Sequence, residues 1–349
     1  EHVSLTLNNL ANVQSKELTN ALIKPIGHLL KSGDISQQNL GLEAIGKLKI
    51  STLRNAVISF VDKTSSSNTI KLAMVALMEK PQENKAIFER IAKMETLDLD
   101  LKVEAIQALA KADMQAASKI INDLVPNLDQ SQKQLVVRIL SSSEEGSTLL
   151  LQLFETGVLT SAEFDLSSAE KVNKSNKEDA RALKLLDEVK RGIEEEKKAF
   201  ESKLQRYMAI AEKGGGNPEN GKNLFQTCLM CHRVGDQGQD FAPALDGSAT
   251  RENEALLTAI LNPDAAVESS YAVFRVSKKD GSSMEGYLVK RDDRGTTLGF
   301  MGGSSQFIQT SDIASQGFMG GRSFMPKGLI DNYSDEQVSD LLSFIKTLK

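Results

Sequence analysis

Tryptophan is absent from the 349-residue chain, and no apolar run approaches the roughly 20 residues that a membrane-spanning helix needs. There is no block of arginine and lysine either. The formal net charge is −5, which argues against a nucleic-acid footprint. The opening Glu1-His2-Val3 lacks the basic start and following apolar run of a secretory leader. Histidine occurs three times and cysteine only twice. What is present is ordinary: 40% hydrophobic and 26% charged residues are the proportions of a soluble protein, and the length allows two or three domains.

The two cysteines fall together, in Cys228-Leu229-Met230-Cys231-His232. C-x-x-C-H is the attachment signature of a c-type heme. Each thiol adds across one porphyrin vinyl group, and the histidine binds iron through a neutral imidazole nitrogen. Three plainer readings compete. A structural zinc site needs four ligands, and only His2 and His28 remain to supply them. A thioredoxin-type cysteine pair expects a βαβ setting, which this sequence lacks. A simple disulfide gives no reason for the adjoining histidine. The motif therefore predicts one covalent heme c. Its attachment takes place outside the cytoplasmic membrane, so the chain is expected to be periplasmic or otherwise extracytoplasmic, with a place at the membrane periphery as one form of this. It is also expected to be a processed product or a segment of a longer precursor.

Residues 1–175 read as helical with an imperfect repeat. Ala44, Ala73, Ala105 and Val136 occupy equivalent positions in apolar segments about 30 residues apart, and second apolar segments (53–61, 86–91 and 117–124) lie between them. Two short helices per unit describe an α-solenoid loosely like HEAT repeats. An irregular helical bundle is the alternative. Over 176–213, Leu186, Val189, Ile193, Phe200, Tyr207 and Ala211 step by threes and fours along one long connecting helix. Gly214-Gly215-Gly216-Asn217-Pro218 breaks it and reads as a hinge and domain boundary.

The remainder, 214–349, reads as a cytochrome c-like heme domain. A helix opened by Pro218 runs into Cys228, and a capping box of Ser334 and Gln337 opens an amphipathic last helix. Gly221 allows the two to cross closely, with Phe225 and Phe344 packed at the crossing. Between them, alternation over 271–279, a turn at Asp280-Gly281 and a return over 284–289 predict a hairpin. Two more short strands at 296–300 and 306–308 complete a small antiparallel β insertion covering about 270–315. The fold class is mainly α.

An electron-transfer heme needs a second strong ligand opposite His232, and methionine is the natural candidate. Met325 stands before Pro326 in a loop, where the stiff proline lowers the entropy lost on ligation. Met319 and Met301, in glycine-rich loops, are the rivals, and an open site is the other possibility. The iron ligands expected are thus His232 and Met325. The histidine's second ring nitrogen is expected to donate to a backbone carbonyl.

Taken together, these residues resemble the heme-binding domain widespread in planctomycetes, verrucomicrobia and Bacteroidetes. The shared elements are 228–232, Ala242-Pro243-Ala244-Leu245, Arg251, Asn262-Pro263, Tyr271 with Asp280-Gly281, and Ser323-Phe324-Met325-Pro326-Lys327-Gly328-Leu329. The chain departs at Ala242 and Ala244, where the family has glycine and aspartate, and it keeps the proline. The resemblance covers about 215–349. It implies that the Pro243 carbonyl receives the His232 ring proton; Arg251 and Arg322 are candidates to meet the heme propionates, with a plain surface role as the alternative for each. It also implies that this chain is the C-terminal part of a larger protein, in a family that sometimes carries a β-propeller resembling sugar dehydrogenases. No propeller is visible in this sequence.

The leading expectation is a periplasmic c-type cytochrome that carries single electrons between a dehydrogenase, in cis or as a partner, and a downstream acceptor. The solenoid would be its docking surface. The alternatives are a peroxidase-like heme enzyme with an open distal site, and a mainly scaffolding repeat protein. No catalytic residue is assigned.

Overall fold

The computed structural model describes residues 15–63, 66–95, 97–265, 267–268, 271–278, 282–319 and 322–349. The His2 position and the Asp280-Gly281 turn lie outside these residues. The fold is mainly helical, with small antiparallel sheets confined to the C-terminal part. It divides into two compact units, Glu1–Gly192 and Ile193–Lys349.

In the first unit, α1 (Lys16–Leu30) precedes four helix pairs, and α10 (Leu166–Ser175) follows them. The first members of the pairs are α2 (Ile35–Leu48), α4 (Ser67–Leu77), α6 (Leu99–Ala112) and α8 (Gln130–Leu140). The second members are α3 (Arg54–Lys63), α5 (Pro81–Ala92), α7 (Met114–Leu124) and α9 (Glu144–Glu155). Polar caps start most of them. Asp34, Ser66, Asp113 and Ser143 each accept a first-turn N–H, and Asp129 forms a capping box with Gln132. Ala44, Ala73, Ala105 and Val136 all fall on first-member helices and are buried. Small side chains at these equivalent positions let successive first-member helices stack.

Polar links join each pair to the next with the same period. Thr69 donates to Asn39 at 2.9 Å, Ser67 to Asp98 at 2.9 Å, and Lys71 to Glu104 at 2.7 Å. Arg54 donates to Asn84 at 2.6 Å, and Ser118 to Gln152 at 2.9 Å. Contacts between neighbouring repeats are what a solenoid requires.

The long helix, α11, covers Ala180–Lys213, about 51 Å at 1.5 Å per residue. It starts four residues later than the apolar stripe suggests, for a local reason. The Asn176 N–H closes α10 by donating to Val172 and Asn173, and the Asp179 carboxylate accepts the Arg181 N–H at 2.9 Å. The boundary between the units falls within α11, not at Gly214–Gly216. The Tyr207 ring is buried in the second unit's core, and its hydroxyl donates to the Ile330 carbonyl at 3.2 Å. Lys203 pairs with Asp331 at 2.8 Å, and Arg206 pairs with Asp335. The glycine run ends in a packed residue, Gly216. A Cβ on Gly216 would lie 2.2 Å from the Ser339 carbonyl oxygen, and the Asn217 N–H donates to Asp340 at 2.6 Å. The expected hinge is therefore a tight connection inside the second unit.

That unit is built on the crossing of α12 (Pro218–Phe225) with α14 (Asp335–Ile345). The Ser334–Gln337 capping box is present, and the Phe225 and Phe344 rings lie 5.1 Å apart. A Cβ on Gly221 would sit 2.0 Å from the Asp340 carbonyl oxygen. Backbone carbonyls cannot yield as a side-chain tip can, so Gly221→Ala is expected to cost about 1–3 kcal/mol. A lowered denaturation midpoint measures this. Gly192→Ala, with nothing within 4 Å, is the matched control and should not destabilise.

Between α12 and α14 come a short ribbon (β1 Arg233–Val234, β2 Gln237–Gly238), α13 (Asn253–Leu261) and a five-stranded antiparallel sheet. The sheet strands are β3 (Phe274–Lys278), β4 (Ser283–Asp292), β5 (Gly295–Gly299), β6 (Ser305–Gln309) and β7 (Ile313–Phe318), in the order β6-β5-β4-β3-β7. Phe274, Val276, Leu298 and Ile308 form its own small core. The fifth strand extends the insertion to Phe318. Its Ile-Ala-Ser-Gln-Gly-Phe sequence has no clear alternation, and pairing with β3 defines it.

Candidate heme-binding site

Residues 228–232 leave α12 as one tight turn. The Cys228 carbonyl accepts the Cys231 N–H at 3.1 Å and the His232 N–H at 2.9 Å. The next segment folds back over this turn. The Cys231 carbonyl accepts the N–H groups of Phe241 (3.1 Å) and Ala242 (2.8 Å), and the His232 carbonyl accepts that of Gln239 (3.2 Å). Gly238 makes the fold-back possible. Its φ is +91°, and a Cβ there would lie 2.1 Å from the His232 carbonyl oxygen.

His232 Nδ1 lies 2.7 Å from the Pro243 carbonyl oxygen. A carbonyl only accepts, so Nδ1 carries the proton and Nε2 keeps its lone pair. Burial lowers the His232 pKa below its ordinary value, more than the Pro243 bond raises it. The ring is therefore neutral at physiological pH, the form that binds a metal. Both cysteines are unbridged. Burial pushes the Cys228 thiol up to about 11, and Cys231 moves in the same direction for the same reason. Cys228 packs beside the cluster of Phe225, Leu257 and Leu342. Two neutral thiols against apolar side chains, next to an imidazole with one free nitrogen, are the donor set that covalent heme attachment uses, and the residues fit that group. Among the described residues, no three of His, Cys, Asp or Glu cluster as a metal site.

The Met325 loop is joined to this turn through aromatic contacts. The Phe241 ring meets Phe324 edge-on at 5.2 Å and Tyr287 of β4 at 5.0 Å. Met325 is half-buried, and its N–H donates to Ser323 Oγ at 3.1 Å. Leu329, four residues on, packs against the cluster that Cys228 also borders. Met319 directly follows β7, where its N–H donates to the Val273 carbonyl at 2.7 Å. Met301 is 50% exposed.

Arg251 is exposed, and its guanidinium has no hydrogen bond or ion pair among the described residues. It borders an open groove of about 560 Å³ that is also lined by Ala255, Thr258, Ala259, Asn262 and Ala265, but not by the Cys-x-x-Cys-His residues. Arg322 is already engaged, 3.2 Å from Glu285. Sequence reasoning missed Phe241 and Asp264. Phe241 precedes Ala242-Pro243 and Asp264 follows Asn262-Pro263, so both adjoin noted prolines, but their partners lie far along the chain.

No curated protein matches this chain. The family model for Cytochrome c matches residues 218–305, from the start of α12 through the Cys-x-x-Cys-His turn and Pro243 into the sheet. The match supports a c-type cytochrome heme-binding domain in this part of the chain, and with it electron transfer by heme.

Proposed function

We propose that the chain is an extracytoplasmic one-electron carrier holding a single heme c through Cys228 and Cys231. In this reading His232 and Met325 would hold the iron and Arg251 would neutralise a propionate. A bound heme supplies a one-electron Fe(III)/Fe(II) couple, and histidine–methionine ligation favours Fe(II) and a high potential. The observation that carries the reading is the 2.7 Å contact between His232 Nδ1 and the Pro243 carbonyl, which orients the imidazole and leaves Nε2 for iron. The Phe241 ring, packed against Phe324, puts apolar surface between the Cys-x-x-Cys-His turn and the Met325 loop.

A redox partner is implied, and a dehydrogenase, in cis or separate, is the donor this reading favours. The repeated helix pairs of the first unit offer an extended docking surface of the kind HEAT-like repeats use. A periplasmic site follows from where heme c is attached. Among the described residues, no helix is long and apolar enough to cross a membrane. A peroxidase needs an acid–base group above the iron, and His232 is the second unit's only histidine.

The test is a redox titration of the purified protein followed in the visible spectrum. A low-spin heme that titrates reversibly with one electron supports the carrier. A high-spin ferric spectrum with rapid peroxide turnover would overturn it.

A further inference from the structure

Asp264 lies just beyond α13 and takes no part in closing it. α13 ends without it, because the Asn262 N–H donates to Thr258 at 2.8 Å and the Ala265 N–H to Asn262 at 2.9 Å. Pro263, which is buried, stops the helix from continuing. The Asp264 carboxylate reaches instead to a loop some sixty residues away. Its Oδ1 accepts the Ser323 N–H at 2.9 Å, and its Oδ2 lies 3.2 Å from Lys327 Nζ. Ser323 Oγ in turn accepts the Met325 N–H. One carboxylate thus holds both ends of 323–327, with Met325 at the centre and Pro326 stiffening the span. Both contacts place an ionised acceptor opposite a donor, the stronger class of hydrogen bond.

The sheet ties the loop from its other side. The Val273 N–H donates to the Arg322 carbonyl at 3.2 Å, and Glu285 holds the Arg322 guanidinium. The residues before Met325 are therefore anchored just ahead of β3 and on β4, and Asp264 bonds both ends of 323–327.

We propose that Asp264 is a positioning residue that keeps the Met325 loop closed, so that the thioether leaves its place only when the Asp264 contacts break. This rests on Met325 being the second iron ligand. Outer partners that orient a ligand in this way are general in metal sites.

The test uses the heme-loaded full chain. Imidazole is titrated into the ferric protein while the near-infrared band of methionine-to-iron charge transfer is followed. Apparent affinity scales with the fraction of molecules whose loop is open, so Asp264→Ala is expected to bind imidazole about tenfold more tightly than the wild type. Asp264→Asn keeps an acceptor for Ser323 but loses the charge facing Lys327. It should fall between the two, with Lys327→Gln close to it. These milder variants carry the test if Asp264→Ala does not fold. A merely structural aspartate would lower the melting temperature and leave imidazole affinity unchanged, and that result overturns the proposal. A wild-type protein without the band overturns the Met325 assignment and this inference with it. That outcome is distinct from unchanged affinity in proteins that show the band.

Discussion

Replacing Cys228 and Cys231 together with alanine is expected to abolish covalent heme. The wild-type polypeptide, matured with heme-attachment machinery, should exceed its chain mass by one heme and keep its colour through acid–acetone extraction. The double variant should have the bare chain mass and no retained pigment. Each single variant should keep one thioether link, because either thiol can add to its own vinyl group. Stability should fall as well, since a group that binds only the folded state stabilises it by mass action. The unit that loses it has a modest core, with Phe225, Leu257, Val338 and Leu341 among its buried side chains. Circular dichroism should show that loss in the second unit's transition, and the helix pairs of the first unit should melt as before. Pigment that extracts freely from the wild type would refute covalent attachment outright.

The Met325→Ala variant is expected to lose the near-infrared methionine band entirely and to have a lower midpoint potential. A soft thioether stabilises Fe(II) better than the water or hydroxide that would replace it. The variant should also gain affinity for cyanide and show a weak, incidental peroxidase activity. A methionine that only fills space gives a different result, because its truncation costs stability and leaves the spectrum unchanged. Retention of the band would move the assignment to Met319 or Met301. Met319 is the better placed of the two, since Met301 is half exposed.

How much of this was legible in the sequence depended on whether the signal was local. The repeat was readable because each helix pair has to bury its own small residue, so Ala44, Ala73, Ala105 and Val136 recur with a period that needs no tertiary knowledge. The crossing of the first and last helices of the heme domain was readable because only glycine fits at Gly221, and the packing of Phe225 on Phe344 followed from it. The start of the long helix was misplaced because an apolar stripe carries no stop signal, and the Asp179 cap decides where it begins. The glycine run read as a hinge because Gly214 and Gly215 do adopt positive φ. Gly216 is glycine for the opposite reason, close packing against Ser339. The strand Ile313–Phe318 and the reach of Asp264 to Ser323 and Lys327 were not legible, since both depend on partners distant in the sequence. The Met325 loop also lies beyond the family match, which ends at residue 305.

The burial of Tyr207 has a consequence for modularity. The heme domain does not begin where its first helix begins. A fragment starting at Gly214 would leave the Ile330 carbonyl without its phenol donor and Asp331 and Asp335 without their cations. It would also expose the apolar side chains that Phe200, Leu204 and Met208 cover. The compact unit Ile193–Lys349 therefore carries about six turns of the preceding helix as part of itself. A join made inside that helix keeps the apolar stripe on one face only where the residues gained or lost make up about a whole number of turns, because each residue rotates the face by about 100°.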